Sequence, residues 1–141
     1  MTSDSFDPAR AQPESFRART LSVSLTAKDF PMSLAWYTEV LGFTLDHKYE
    51  RDGKVFGASI MAGDVHISLN QDDGAKGWDR VKGLGIGLYF TTAQNVDALA
   101  ARIKRLGGKL DTEPADTPWG VRAFRLTDPD GFKLTISSER K

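Results

Sequence analysis

LSVSLTAKDFPMSLAWYTEVLGF, residues 21–43, passes from one periodicity to another. Leu21, Val23 and Leu25 alternate with Ser22, Ser24 and Thr26, which is the period-two pattern of a strand buried on one face. Met32, Leu34, Ala35, Trp36, Val40 and Leu41 then recur at helical spacing as far as Gly42. Asp29 is placed to cap that helix and Pro31 falls in its first turn, where its missing N–H costs nothing. A strand followed at once by a helix therefore opens the unit.

Three strand candidates come next, at 43–49, 54–61 and 65–70, separated by the turn pairs Asp52-Gly53 and Gly63-Asp64. The polar, glycine-rich run DDGAKGWDRVKG, residues 72–83, reads as a surface connection. After it the order repeats. Ile86, Leu88 and Phe90 alternate with smaller or polar residues, Val96, Leu99, Ala100, Ile103 and Leu106 mark a helix ending at Gly107-Gly108, and strands are expected at 109–113, 121–127 and 132–138. Asp128-Pro129-Asp130-Gly131 is the last turn.

SVSLT at 22–26 lies over GLYFT at 87–91, HISL at 66–69 over KLTI at 133–136, and Leu41-Gly42 over Leu106-Gly107. A period of about 65 residues is too long for a solenoid unit. The expected architecture is α+β: two tandem βαβββ modules, about 20–71 and 84–138, joined by a linker at 72–83, whose mixed sheets form one cleft. Residues 1–19, with Pro8, Pro13 and few apolar side chains, read as a flexible arm, although Phe6 and Phe16 could dock on a neighbour.

Alternation puts the apolar strand faces on the helices. The opposite faces, carrying Ser22, Ser24, Thr26, His66, Ser68, Asn70, Gly87, Tyr89, Thr91, Thr135 and Ser137, then point into the cleft. A concave surface with scattered polar groups suits a small organic ligand.

Bulk properties narrow the partners. The 141 residues suffice for one core, with 40% hydrophobic and 27% charged residues. Nineteen Lys and Arg balance nineteen Asp and Glu, so no net field favours nucleic acid or an anionic membrane. No stretch is long and apolar enough to span a bilayer, no signal-peptide pattern opens the chain, and a cytoplasmic location is expected. Without cysteine there is no disulfide, thiolate nucleophile or Cys-ligated zinc.

LTAKDFPMSLAWYTEVLGF at 25–43 resembles the first strand–helix unit of the glyoxalase/bleomycin-resistance/extradiol dioxygenase (vicinal oxygen chelate) superfamily. The stretch from Trp119-Gly120-Val121-Arg122 to Asp128-Pro129-Asp130-Gly131-Phe132 resembles its closing hairpin, and the likeness runs over about 20–138. The resemblance implies a fold and a cleft but no single activity. It also implies four inward positions that in the enzymes hold a divalent metal with His and Glu. Here they fall on Ser22, Ser68, Gly87 and Thr135, none an imidazole or carboxylate. Hydroxyls and water alone bind Zn, Mn, Ni or Fe weakly, so neither metal nor other cofactor is expected.

His66, expected in the cleft, is the one catalytic candidate, as a general base; its rivals are ligand contact and an imidazole satisfied by neighbouring Ser or Tyr. His47, between Asp46 and Lys48, is assigned to the surface. The ligand-binding candidates are Ser22, Ser24, His66, Ser68, Asn70, Tyr89, Trp119 and Thr135, with Phe56 a further aromatic and Arg125 a carboxylate or phosphate binder if it faces inward. Trp78 reads as a loop anchor or subunit contact. The expected function is metal-independent binding of a drug or metabolite, as in bleomycin resistance, by a homodimer. The alternative is a glyoxalase-like lyase or isomerase, or a dioxygenase-family enzyme, with a displaced metal site or His66 as base.

Overall fold

The computed structural model describes residues 15–140. Phe6 lies outside them, and Phe16 is exposed. The first half runs β1 (Val23–Ala27), α1 (Phe30–Ala35), β2 (Thr44–Arg51), β3 (Lys54–Ala62) and β4 (Val65–Gln71). The second runs β5 (Gly87–Thr92), α2 (Val96–Arg105), β6 (Thr112–Asp116), β7 (Arg122–Thr127) and β8 (Lys133–Ser138). Each half builds its own four-stranded sheet, in the orders β1-β4-β3-β2 and β5-β8-β7-β6. In both, the first and last strands pair in parallel and the rest antiparallel. The repeat read in the sequence is thus a repeat of topology.

The α1 helix begins at the expected cap, Asp29 Oδ1 accepting from the Met32 N–H at 3.2 Å. Beyond Ala35 it widens into a π turn over Trp36–Val40, where the Leu41 N–H donates to Trp36 O at 3.1 Å. Tyr37, in that turn, is fully buried. On α2, Asn95 caps the N-terminus, and Val96, Ala100 and Ile103 form the buried stripe. These helices cover the apolar strand faces: Leu25, Ala27, Ala58, Ile60, Ile67 and Leu69 in one half, Phe124, Leu126 and Leu134 in the other.

One strand departs from expectation. β6 is 112–116, not 109–113, because Leu110 packs against the core first and the ladder is irregular between Thr112 and Ala115. Pro114 is tolerated there since β6 is an edge strand.

The halves meet along an aromatic seam and a polar clasp. Tyr37 stacks edge-on to Phe43 at 5.5 Å, and Phe43 to Phe90 of the second half at 6.1 Å. In the clasp, the turn after β7 receives hydrogen bonds from the first half. The Tyr37 hydroxyl donates to Asp128 Oδ2 at 2.7 Å, the Ser33 hydroxyl to Asp130 Oδ2 at 3.0 Å, and the Lys28 N–H to Asp130 Oδ1 at 2.8 Å. The connection at 72–83 is polar, as read, but tied down at both ends. Lys82 Nζ lies 3.3 Å from Asp72 and 3.8 Å from Asp130, and Trp78 folds back against Gly74.

Burial pushes the Asp128 carboxyl above its ordinary range, while the bond from Tyr37 pulls it the other way. Tyr37→Phe therefore removes a donor that favours the ionised form. Its expected cost is about 1–3 kcal/mol at neutral pH. The sign follows from linkage: a carboxyl with a raised folded pKa favours the fold at low pH and loses that contribution as pH rises through the raised value. The gap between wild type and Tyr37→Phe, read from urea unfolding, should therefore narrow as Asp128 protonates.

Candidate functional site

Strand register shows which side chains share the open faces, because residues directly opposite across a sheet point the same way. On the first sheet, Ser24 pairs with Ser68, Ser68 with Ser59, and Ser59 with His47, a row of three hydroxyls and an imidazole crossing all four strands. Beside it runs Thr26–Asn70–Gly57–Tyr49, and beyond it His66 lies opposite Met61. The Asn70 amide nitrogen donates to Ser24 Oγ at 2.9 Å and to Ser68 Oγ at 3.3 Å. Its carboxamide lies against Gly57, where a Cβ would be 2.7 Å from Asn70 Oδ1.

His47 is exposed, as its charged sequence neighbours suggest, and it also shares the polar face. A bulge between Leu45 and His47 adds a residue to β2, so His47 joins the polar face although its sequence neighbours are charged. The His47 ring contacts Tyr49 at 5.0 Å, Tyr49 tilts against Phe56 at 6.3 Å, and the Arg51 guanidinium lies over Phe56 at 5.0 Å. An aromatic edge thus borders the hydroxyl row.

On the second sheet, Tyr89 pairs with Thr135 and Thr135 with Arg125. Thr91, Ser137 and Ala123 form the adjacent row. Hydrogen bonding from Ser137, then from the Trp119 indole, lowers the Tyr89 phenol below its ordinary range, with Arg125 and Arg140 adding a weaker pull. Trp119 projects from the turn before β7 and is half exposed. Arg122, of opposite parity, faces away and is bound to Asp97 at 2.7 Å and Asp116 at 3.2 Å.

Of the candidate residues, the structure brings Ser24, Ser68 and Asn70 together on one sheet, and Tyr89, Trp119 and Thr135 on the other. Ser22 stands just before β1 and is exposed. His66 is exposed and makes no side-chain hydrogen bond among the described residues, so neither a satisfying Ser or Tyr nor an orienting carboxylate accompanies it. The four positions that correspond to family metal ligands carry Ser22, Ser68, Gly87 and Thr135, a donor set that does not fit a divalent metal. Among the described residues, no three His, Cys, Asp or Glu side chains are grouped to hold one.

A groove of about 620 Å³ lies elsewhere, along the seam between the halves, lined by Leu41, Phe43, Val65, Phe90, Leu99 and Arg102 among others. None of the eight ligand-binding candidates lines it. In the single chain the polar sheet faces are open in part, with Tyr89 54% and Trp119 48% accessible while Ser137 is buried. No helix of the described residues is long and apolar enough to cross a membrane.

Comparison with known proteins agrees with this architecture. The chain is 29% identical over 133 residues to "Lactoylglutathione lyase GLX1" of Arabidopsis thaliana, a match covering 88% of this chain and 45% of the relative. It therefore spans less than half the length of that curated relative. Among solved structures, a glyoxalase/bleomycin resistance protein/dioxygenase superfamily member from Sphaerobacter thermophilus DSM 20745 superposes with a TM-score of 0.71 at 22% identity, covering 87% of this chain and 98% of its own. TioX from Micromonospora sp. ML1 gives 0.70 at 19% identity, covering 86% and 98%. These two likenesses speak to fold alone. Residues 19–136 match the sequence profile of one family, and on that match the chain belongs to the Glyoxalase/Bleomycin resistance protein/Dioxygenase superfamily.

Proposed function

We propose that the chain binds a small organic molecule, a drug or metabolite, on its two polar sheet faces without a catalytic metal, in the manner of the family's bleomycin-resistance members, and that it works in the cytoplasm as a homodimer. The observation that carries this reading is the Ser24–Ser68–Asn70 network beside an aromatic edge. Positioned hydroxyls, an amide and ring edges recognise a polar organic molecule by shape and hydrogen bonds, with no need of a Lewis acid. An exposed face becomes an enclosing pocket when a second surface covers it, and a second copy of the chain would supply one.

Thermal unfolding against a panel of organic compounds, divalent metals and EDTA tests the proposal. A compound that raises Tm with EDTA present is the expected result. Asn70→Ala should remove most of that rise while costing the unliganded protein only about 1 kcal/mol. Stabilisation by stoichiometric metal alone would overturn it.

The similarity to a lactoylglutathione lyase favours a second reading, an enzyme of that class. It would rest on His66 or His47 as base. Incubation with S-lactoylglutathione, with and without divalent metals, separates the two: turnover that is lost in His66→Ala or His47→Ala supports the enzyme.

A further inference from the structure

The two polar faces differ in charge, and the difference bears on what they hold. Five cations among the described residues pair with acids: Lys28 with Asp79, Arg80 and Lys82 with Asp72, Lys104 with Glu113, and Arg122, on the second sheet, with Asp97 and Asp116. Arg125 and Lys133 are the exceptions on the second sheet. Both have the parity of Tyr89's partner Thr135, so both stand on the open face. Neither has a carboxylate within ion-pair distance among the described residues, and Lys133 Nζ donates only to the Thr127 hydroxyl, at 3.0 Å. The nearby acid, Asp111, sits at the sheet's margin and accepts from that same hydroxyl.

The other polar side chains of this face can all donate, the hydroxyls accepting as well. The Trp119 indole N–H can only donate, and the guanidinium of Arg125 has five N–H bonds and no acceptor. Tyr89 and Thr135 offer hydroxyls in the same row. The first sheet's face is different: hydroxyls, an amide and two imidazoles, balanced between donors and acceptors. An unpaired arginine flanked by a phenol, an indole N–H and a hydroxyl matches the planar, acceptor-only carboxylate, which a guanidinium can grip with two parallel bonds.

We infer that the open face of the second half is a carboxylate-recognition surface, and that the ligand is a flat organic acid whose carboxylate lies between Arg125 and Tyr89 with its ring against Trp119. This rests on the proposed binding function and adds the chemical class of the ligand. Lys133 lies one row away and adds field without a required contact.

A matched pair of probes tests it: 2-naphthoate and 2-naphthamide, equal in shape and differing in charge, titrated by calorimetry into the full-length protein. Naphthoate is expected to bind at least tenfold more tightly than naphthamide. Arg125→Gln should erase most of that preference, lowering naphthoate affinity about tenfold or more and naphthamide affinity far less. Arg125 is exposed, so its variants should fold; Arg125→Lys should recover part of the preference, since it restores charge without the fork. Equal binding of acid and amide, or a preference that survives Arg125→Gln, overturns the inference while leaving the binding pocket standing. If neither probe binds while an uncharged panel compound does, the inference falls in the same way. If no compound of either kind binds, the binding function falls with it.

Discussion

Lys82→Met is expected to destabilise the protein by about 3 kcal/mol at neutral pH, within the range for a buried pair that loses one partner. Methionine preserves the side chain's bulk and removes only the charge. Lys82 and Asp72 are 5% and 3% accessible; the Gly74 N–H donates to Asp72 Oδ1, but Oδ2 has no hydrogen-bond partner and relies on the nearby cations. Arg80 remains, but at 3.6 Å and a third exposed. The pH dependence provides a control. Asp72 is held below the ordinary carboxylate range, first by the Gly74 N–H, then by Lys82 and Arg80. A lowered folded pKa contributes stability above the unfolded value, about 4, and loses it as pH falls through the folded one. Urea titrations should thus show the deficit of Lys82→Met shrinking in acid. A deficit equal at both ends of the range would mean that packing, not charge, had been lost.

Gly83→Ala is the second large expected loss, about 2–5 kcal/mol from left-handed strain and overpacking together. Gly83 adopts φ +79°, and a Cβ there would lie 2.5 Å from Gly131 O and 2.9 Å from Gly131 C. Those are backbone atoms of the turn that accepts from Tyr37, Ser33 and Lys28, so they cannot swing aside as a side chain end would. Gly85→Ala, at φ +73° with nothing near its Cβ, is the matched control. Its loss should be limited to the backbone term, about 1–2 kcal/mol. The difference in Tm between the two variants measures the contact between the connection and the second half.

Both variants fall in a region that sequence patterns describe poorly. The alternation of Leu21, Val23 and Leu25, the capped helix after Asp29 and the second copy from Ile86 all report local periodicity, and the structure has those elements in that order. The clasp has no such signature, since Asp72, Lys82 and Asp130 approach only after both halves fold. The side of the sheet on which His47 stands is hidden from the sequence for a related reason. Alternation assumes an unbroken strand, and one extra residue in β2 inverts every assignment that follows it. Parity did find Ser24, Ser68, Asn70, Tyr89 and Thr135 on the open faces, because β1, β4, β5 and β8 pair without shifts. β6 lies beside an irregularity, and there the expected bounds slip along the chain.

The division of each strand between a helix-packed parity and an open parity also bears on how such a chain can change over time. Ile67 and Leu69 are held by the core, while Ser68 between them lies outside it, its hydroxyl accepting from Asn70 on the open face. Mutations at the open parity can therefore drift, exchanging an imidazole for a hydroxyl or a lysine for an arginine, with little toll on folding. A saturation scan of β4 should show tolerance rising and falling with every second residue. On such a scaffold the chemistry of the face can turn over many times while the architecture beneath it persists.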